Sequence, residues 1–246
     1  MTRAPAPRDV PLVALPDFGP DAPARLAASR VLLVGAGGLG CPIAQYLVAA
    51  GIGALTLVDF DTVAAGNLGR QVLYSPKDVG QRKVDVARAS LARQNPNVAI
   101  TVRPERADAA SLPGLLEDVD LAIDASDNFG TRLAMNDACL AAGQDWIMGA
   151  ATRSEGQFVF LPASDARAPC YRCIYGEAAD VLEDCAGGGV LGPVTGLVGS
   201  AVAALALQVL AGQVPRPALH LVDANGWEWR SLGVSRRVDC TACGGR

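Results

Sequence analysis

The sequence predicts an α/β domain built on a mostly parallel sheet with helices on both of its faces. In the first 149 residues, short apolar runs alternate with stretches of helical periodicity, which is the pattern of strand–helix–strand units. Half of the 246 residues are hydrophobic, so the chain can bury a large core. Beyond residue 149 the pattern changes, and alternating apolar and polar residues predict an elaborated second half with antiparallel strands.

The elements of the first half follow this alternation in order. Residues 31–34 form an apolar run that ends at Gly35, as a fully buried parallel strand would, and the helical pattern after it stops at Gly51, a common C-terminal signal. Strands are predicted at residues 31–34, 54–59, 98–102 and 119–124, and helices at residues 38–50, 84–93 and 128–142. In the second half, strands are predicted at residues 157–161, 219–223 and 227–232, the last of them half-exposed.

Charge and cysteine content exclude several classes of protein. The formal net charge is −4 and the chain has no dense block of lysine and arginine, which argues against non-specific nucleic-acid binding. The first 16 residues contain no uninterrupted apolar core, so they do not predict a secretory signal. Seven cysteines, four of them in two Cys-x-x-Cys pairs, favour a reducing cytoplasmic location and a metal site over disulfides.

One apolar segment, residues 190–212, has the length of a membrane-spanning helix. No charged residue lies between Asp184 and Arg216. Glycine and proline residues at positions 192, 193, 196 and 199 interrupt its first half, which leaves residues 200–210 as the continuous apolar part. That part is too short to cross a bilayer, so the sequence predicts a buried helix here.

A glycine-rich loop follows the first predicted strand and opens the first helix. It reads Gly35-x-Gly37-Gly38-x-Gly40, and Asp59 stands at the end of the next strand. Glycines let the backbone approach a phosphate, the helix N-terminus offers free N–H groups, and the acid accepts hydrogen bonds from ribose hydroxyls. The combination predicts a nucleotide site, and by itself it would favour NAD.

Three charged residues favour a triphosphate over a dinucleotide in this site. Arg70 and Lys83 can neutralise the negative charge that accumulates at a phosphorus under attack, whereas hydride transfer needs neither. Asp127 follows the strand at residues 119–124, where a carboxylate could hold Mg²⁺ against phosphate oxygens. The simpler alternative for Asp127 is a cap of the following helix.

The two Cys-x-x-Cys pairs have the spacing of a structural zinc knuckle. Four thiolates leave no open position on the metal, so this zinc would be structural and would hold the C-terminal segment against the rest of the domain. A redox-active Cys-x-x-Cys pair is the alternative. The four predicted ligands are Cys170, Cys173, Cys240 and Cys243. Cys41 and Cys139 fall in predicted helices and are expected in the core, and His220, the only histidine, is expected to be structural.

Together these motifs resemble the ThiF/MoeB/HesA family, bacterial relatives of the ubiquitin-activating enzymes. The matching segments run in the family's order from residue 31 to residue 243: VLLVGAGGLG, LTLVDFDTV, NLGRQ, VGQRKV, IDASDN, CYRC, GVLGPVTGLVGS and CTAC. The resemblance implies a Rossmann-like fold and a homodimer. It also implies an adenylyltransferase that uses ATP to adenylylate the C-terminal glycine of a small ubiquitin-like sulfur carrier protein and releases pyrophosphate.

The resemblance also assigns roles to individual residues. Asp59 would hold the ribose, and Asn67 and Arg70 would contact the phosphates. Lys83 would contact the α-phosphate region and Asp127 the Mg²⁺. The full set of implied nucleotide and metal contacts is Gly38, Asp59, Asn67, Arg70, Lys83, Asp127 and Asn128. Cys185 matches a cysteine that in some members links covalently to the carrier during sulfur transfer; a spare loop thiol is the alternative.

By the resemblance, residues 1–246 form one ThiF-type domain with an N-terminal arm (1–29), a nucleotide-binding half (30–149) and a carrier-binding and zinc half (150–246). One position departs from the family. Members usually carry Arg-x-x-Arg-Gln near the N-terminus, and the second arginine reaches the partner subunit's ATP site. Here Arg8 matches the first arginine and Pro11 stands at the second, so either Arg8 substitutes or the trans arginine is absent.

Several functions stay open at this point. The segments DFDTV, VGQRKV and CYRC favour a MoaD-like carrier in molybdenum cofactor biosynthesis over a ThiS-like carrier in thiamin biosynthesis. A relative that dehydrates a modified tRNA base is disfavoured by the low basicity of the chain and by its intact four-cysteine pattern. An NAD-dependent oxidoreductase and a non-catalytic carrier-binding scaffold are the alternatives from other functional classes.

Overall fold

The computed structural model describes residues 14–176 and 189–244, which form one eight-stranded sheet flanked by helices. The strands are β1 (Arg30–Val34), β2 (Ala54–Val58), β3 (Ala99–Arg103), β4 (Leu121–Asp124), β5 (Trp146–Thr152), β6 (Glu155–Leu161), β7 (Ala218–Asp223) and β8 (Glu228–Gly233). The helices are α1 (Ala22–Ala28), α2 (Gly40–Ala50), α3 (Lys83–Gln94), α4 (Leu112–Leu115), α5 (Phe129–Ala142), α6 (Tyr171–Tyr175) and α7 (Gly192–Leu210). Across the sheet the strand order is β3-β2-β1-β4-β5-β6-β7-β8.

Strands β1 to β5 are parallel, as the alternation of elements predicts. Val34, at the end of β1, pairs with Val58 of β2 on one side and with Asp124 of β4 on the other. The segments that follow these three strands therefore meet at one edge of the sheet. The chain turns from β1 to β2 in one direction and later to β4 in the other, and open α/β sheets bind their ligands at such a switch point.

Both faces of the sheet are covered, which confirms the predicted layering. Leu32 and Leu33 are adjacent in β1 and both are fully buried, because neighbouring strand residues point to opposite faces. Leu33 belongs to the core under α2, α3 and α7, and Leu32 to the core under α4, α5 and α6. The first core contains Cys41 and the second contains Cys139, so both cysteines are core residues as expected.

Apart from the helix in the apolar segment, the predicted elements are all present, with ends within two residues of those expected. The sequence patterns missed β5 and the short helices α1, α4 and α6. The expected exposure of the last strand was wrong, because β8 is exposed along its whole length instead of on one face. It is the last strand of the sheet and pairs only with β7, so it does not share the helices that cover the central strands.

Helix α7 corrects the predicted break in the apolar segment. It runs unbroken from Gly192 for 19 residues, so its glycines do not interrupt it. A Cβ at Gly199 would lie 2.5 Å from Pro42 and 2.7 Å from the Leu39 carbonyl, which shows that the small residue allows α7 to pack closely on α2. By length and composition α7 could cross a membrane, but half of its apolar window is buried inside the protein, as predicted for a core helix.

Candidate functional site: a polar cleft and a cysteine cluster

A cleft of about 1100 Å³ opens over the carboxyl ends of β1, β2 and β4 and continues to β7 and β8. Most of the predicted nucleotide and metal contacts line it. They are Gly38, Asp59, Arg70, Lys83, Asp127 and Asn128. Asn67 is not part of its lining; the side chain folds back instead, and its Oδ1 accepts a hydrogen bond from the Ala64 N–H at 3.3 Å.

The glycine loop forms the floor of the cleft, and two of its glycines are required by close backbone contacts. A Cβ at Gly40 would lie 1.9 Å from the Gly35 carbonyl oxygen. Gly35 itself has φ of +98°, and a Cβ there would lie 2.7 Å from the Ala125 carbonyl oxygen. The Tyr74 hydroxyl donates to the Ala36 carbonyl at 2.7 Å and fixes the loop from the other side. The loop is therefore held in one shape by the protein itself.

Asp59 braces the glycine loop and also faces the cleft. Its Oδ2 accepts from the Ala36 N–H at 2.7 Å, and its Oδ1 accepts from the Asp61 N–H at 2.8 Å. A carboxylate oxygen can accept a second hydrogen bond, so both oxygens keep the capacity to accept from a ligand hydroxyl. Asp59 thus stands where the sequence predicts a ribose contact.

Lys83 is a buried cation in the lining of the cleft. Only 6% of its side chain is exposed, and its Nζ lies 2.7 Å from the Asp61 carboxylate. The backbone N–H of Lys83, at the start of α3, also donates to the backbone carbonyl of Asp61 at 3.0 Å. Sequence reasoning missed Asp61 as a partner, although the residue lies two positions after Asp59. Arg70 is less buried, and its Nη1 donates to the Gly66 carbonyl at 3.1 Å.

At the end of β4 the structure separates Asp127 from the capping role considered for it. The N-cap of α5 is Asn128, whose Oδ1 accepts from the Thr131 N–H at 2.8 Å. Asp127 is exposed and lines the cleft. Sequence reasoning also missed a buried pair below this loop, Asp124 and Arg132, because neither residue belongs to a recognised motif spacing.

The four predicted metal ligands form a separate, mostly buried cluster. Their sulfur atoms all lie within 4.8 Å of one another, with Cys170 at 3.8 Å from Cys173 and 3.6 Å from Cys240, and Cys173 at 3.5 Å from Cys243. Four sulfurs at this spacing can surround one metal ion. The redox alternative finds no support in this geometry, because the two motifs converge on each other across 70 residues.

The electrostatic surroundings differ among the four thiols of the cluster, because burial raises the pKa of Cys170 and of Cys243. Burial opposes ionisation of Cys240, but hydrogen bonds from the backbone N–H groups of Cys243 and Ala242, together with those from the Cys170 and Cys173 thiols, lower the pKa of Cys240 to about 7. The Arg237 N–H lies 3.4 Å from the Cys173 sulfur. Thiolates are the form that binds metals, so these donors favour the ligand state at Cys240 and Cys173. In contrast, burial raises the pKa of Cys41 to about 12, which keeps that core thiol protonated.

Three predicted positions lie outside the described residues: Arg8, Pro11 and Cys185. The roles expected for them stay predictions. His220 is described, and its ring stacks on Phe158 with centroids 4.7 Å apart while Nδ1 lies 2.8 Å from the Ser231 hydroxyl. This fits the structural role expected for the only histidine.

The chain is similar in sequence and in fold to known proteins. The ThiF family model matches residues 11–242. The chain is 41% identical over 235 residues to the molybdopterin-synthase adenylyltransferase of Escherichia coli strain K12, covering 94% of each chain. It is 41% identical over 237 residues to the sulfur carrier protein adenylyltransferase of Thermus thermophilus, covering 94% of this chain and 88% of that protein.

Further matches differ in length or only in fold. The chain is 43% identical over 237 residues to pig adenylyltransferase and sulfurtransferase MOCS3; this covers 94% of the chain but 52% of that protein, so the chain spans about half of its length. The crystal structure of Escherichia coli MccB with ATP superposes with a TM-score of 0.81 at 21% identity, over 92% of this chain and 71% of that one, which shows a shared fold. On its sequence and its fold, this chain belongs to the ThiF family.

Proposed function

We propose that this protein is an adenylyltransferase that transfers AMP from ATP to the C-terminal glycine carboxylate of a small ubiquitin-like sulfur carrier protein. The names of its relatives at 41% identity support this activity. The structural observation that carries the proposal is the continuous cleft, which runs from the glycine loop to β7 and β8. Its volume of about 1100 Å³ exceeds that of most small-molecule sites, so it has room for a nucleotide and an extended peptide tail.

The chemistry explains why these residue types are needed. A carboxylate is a poor acyl donor, and a mixed anhydride with AMP gives it a good leaving group. The attacking carboxylate oxygen forms a bond to the α-phosphorus, the bond from that phosphorus to the bridging oxygen breaks, and pyrophosphate departs. The attacking group is already ionised at neutral pH, so this step requires no general base, and His220, which is not part of the cleft lining, needs no role in it.

The protein's main task is to bring two anions together and to stabilise the charge that develops between them. Lys83 is suited to the α-phosphate because its buried ammonium is held in place by Asp61. Arg70 can contact the outer phosphates with its planar fork of donors. Asp59 would accept from the ribose hydroxyls, and Gly38 would let the backbone approach the nucleotide.

We further propose Mg²⁺ beside Asp127. One exposed carboxylate at a phosphate site suits this ion, which usually takes few protein ligands and completes its octahedron with phosphate oxygens and water. When bound, Mg²⁺ would neutralise charge on the departing pyrophosphate. Asn128 caps helix α5 beside this carboxylate through its Oδ1, so we propose that it fixes the position of Asp127 in addition to the predicted contact with the ligand.

For the cysteine cluster we propose zinc as the bound metal. A tetrahedral site with Zn–S bonds of ~2.3 Å has sulfur–sulfur edges of about 3.8 Å. Three of the six sulfur–sulfur separations measure 3.5 to 3.8 Å, close to this value, and all six are within 4.8 Å. Four protein ligands would close the site to substrate, so the zinc would be structural.

The finer assignments also belong to this proposal: a homodimer, a cytoplasmic location, and a MoaD-like carrier in molybdenum cofactor biosynthesis with a ThiS-like carrier as the alternative. Cys185 is proposed to act in the later sulfur transfer and not in adenylation. Purified Cys185→Ser should then exchange pyrophosphate with ATP at the normal rate but fail to form a carrier linkage, as judged by intact-mass spectrometry.

The test of the whole proposal is ATP–pyrophosphate exchange by the purified protein with carriers of both types, at a measured zinc content. Exchange that requires one carrier's terminal glycine would establish the reaction and the pathway together. A carrier that lacks this glycine serves as the matched control. No exchange with either carrier would overturn the proposal, and a thermal shift that depends on NAD would support an oxidoreductase instead.

A further inference from the structure

Below the loop that carries Asp127 lies a buried charged pair that no sequence motif identifies. Asp124, the last residue of β4, has no exposed surface, and Arg132 of α5 is 8% exposed. The Arg132 Nε and Asp124 Oδ2 atoms are 4.0 Å apart, and within the described part of the chain neither atom has a hydrogen-bond partner. Burial raises the pKa of the Asp124 carboxyl, and the Arg132 charge opposes that rise.

This pair is a poor source of stability. Removing two charges from water costs several kcal/mol per ion, and a 4.0 Å separation without a direct hydrogen bond recovers little of that cost. A well-packed neutral pair of similar volume would stabilise the fold at least as well. Stability therefore does not explain the two charged residues at this place, but their other hydrogen bonds do.

Both members of the pair bind the backbone of Ser126. The Asp124 Oδ1 accepts from the Ser126 N–H at 2.8 Å, and the Arg132 Nη2 donates to the Ser126 carbonyl at 2.9 Å. Ser126 directly precedes Asp127, and the residue after Asp127 is the fixed N-cap Asn128. The exposed Asp127 is thus held between two anchored neighbours.

The same stretch of backbone supports the glycine loop. The Ala125 carbonyl oxygen faces the Cα of Gly35 so closely that a Cβ there would lie 2.7 Å away. A shift of the peptide between Ala125 and Ser126 would consequently disturb the phosphate loop as well as Asp127. The Arg132 donor to the Ser126 carbonyl fixes this segment from the side of α5.

We propose that Arg132 is a positioning residue that fixes the Ser126 backbone, so that Asp127 presents its carboxylate to Mg²⁺·ATP at a set place in the cleft. This inference rests on the proposed adenylyltransferase function. It goes beyond that function because it assigns part of the metal dependence of nucleotide binding to an arginine that acts through the Ser126 backbone, although its side chain also reaches the lining of the cleft. Residues that orient a metal ligand are worth about 10- to 100-fold in metal affinity.

Three variants separate positioning from simple charge balance. Arg132→Met leaves Asp124 buried without its counter-charge and should lower the thermal midpoint. The double variant Asp124→Asn/Arg132→Met removes both charges, and the introduced amide oxygen can still accept from the Ser126 N–H; its thermal midpoint should return close to that of the wild type. Arg132→Lys keeps the charge but lacks the fork that reaches the carbonyl.

The decisive readout is the Mg²⁺ concentration at which ATP binding is half-maximal, measured by calorimetry without carrier. For the stable double variant we expect this concentration to rise about tenfold, with Arg132→Lys intermediate. Arg25→Met is the matched control, because Arg25 also donates to a carbonyl, that of Ala211, but lies away from the cleft. It should leave the Mg²⁺ dependence unchanged.

The outcomes distinguish this inference from the function on which it rests. A double variant with both wild-type stability and wild-type Mg²⁺ dependence would overturn the positioning role even if adenylation is established. If the wild type binds Mg²⁺·ATP but exchanges no pyrophosphate with either carrier, the proposed function fails while the binding series still decides the role of Arg132. Wild-type ATP binding that ignores Mg²⁺ would overturn the inference directly.

Discussion

The cleft and the cysteine cluster lie near opposite ends of helix α5 and are built in different ways. At its start, Asn128 and Arg132 hold the loop of the cleft; near its end, Asn136 accepts from the Tyr171 N–H at 2.9 Å and Leu140 packs on the cysteines. The cleft collects partly exposed polar side chains from many loops, whereas the cluster joins four thiols from two short motifs. We therefore expect residues of the cleft to govern chemistry and residues of the cluster to govern stability.

The largest effect expected on the chemical side is that of Lys83→Ala. It removes the buried cation proposed for the α-phosphate, and loss of one such group costs about 10²–10³ in rate, so carrier-dependent pyrophosphate exchange should fall at least that far. The fold should survive, since Asp61, with 48% of its side chain exposed, can be hydrated once the lysine is gone. Lys77→Ala is the control, because Lys77 is the only other lysine and lies on the surface. Near-normal exchange by Lys83→Ala would remove this residue from the mechanism.

On the stability side, Cys240→Ser should have the largest effect. Loss of one thiolate from a four-ligand site releases the metal, and the binding free energy of such a metal is part of the folding free energy. For a chain of this size, ~3 kcal/mol corresponds to a fall of about 10 °C in thermal midpoint, at 2–4 °C per kcal/mol. Metal content measured by mass spectrometry should drop with it. The neighbouring Asp239→Asn should keep its metal, and a Cys240→Ser protein that unfolds like the wild type would show that the cluster is not structural.

One residue of the cleft, in the glycine loop, is an exception because we expect it to affect stability. Gly40→Ala would place a Cβ 1.9 Å from the Gly35 carbonyl oxygen, so backbone must move and we expect a loss of about 2 kcal/mol in the free energy of unfolding. A Cβ at Gly37 would meet only the Gln71 amide, at 3.7 Å, so Gly37→Ala should unfold like the wild type in urea. Equal stability of the two variants would show that the loop can relax around the added methyl group.

The sequence predicted those parts of the molecule that depend on local spacing. The glycine loop, Asp59 and the four cysteines each belong to a short pattern whose spacing reflects the chemistry, so their placement could be anticipated. The pairing of Lys83 with Asp61 could not, because it depends on where α3 begins relative to β2. Likewise, an arginine four residues after a helix cap is usually a surface charge, and only the packed structure shows that Arg132 is buried against Asp124.

Tertiary contacts also explain the two errors in the predicted elements. Glycines in α7 suggested a break, but Gly199 allows close packing on α2, and packing outweighs the low helix propensity of glycine. Alternating residues in β8 suggested one buried face, but the pattern cannot show that a strand lies at the edge of the sheet. In both cases the error concerned which element packs beside the helix or strand, and a local sequence pattern does not contain that information.

The smallest effect expected in the antiparallel half is at Trp227, before β8. Its side chain is 74% exposed and its φ is +53°, a conformation that is costly for a bulky residue and better tolerated by asparagine. Trp227→Asn should therefore change the free energy of unfolding by no more than ~0.5 kcal/mol, and in the stabilising direction, as measured by urea denaturation. Such a result would show that the β7–β8 edge contributes less to stability than the cysteine cluster, although both belong to the second half of the chain. A loss above about 1 kcal/mol would instead mean that the exposed edge of the sheet supports the fold as the cysteines are expected to do.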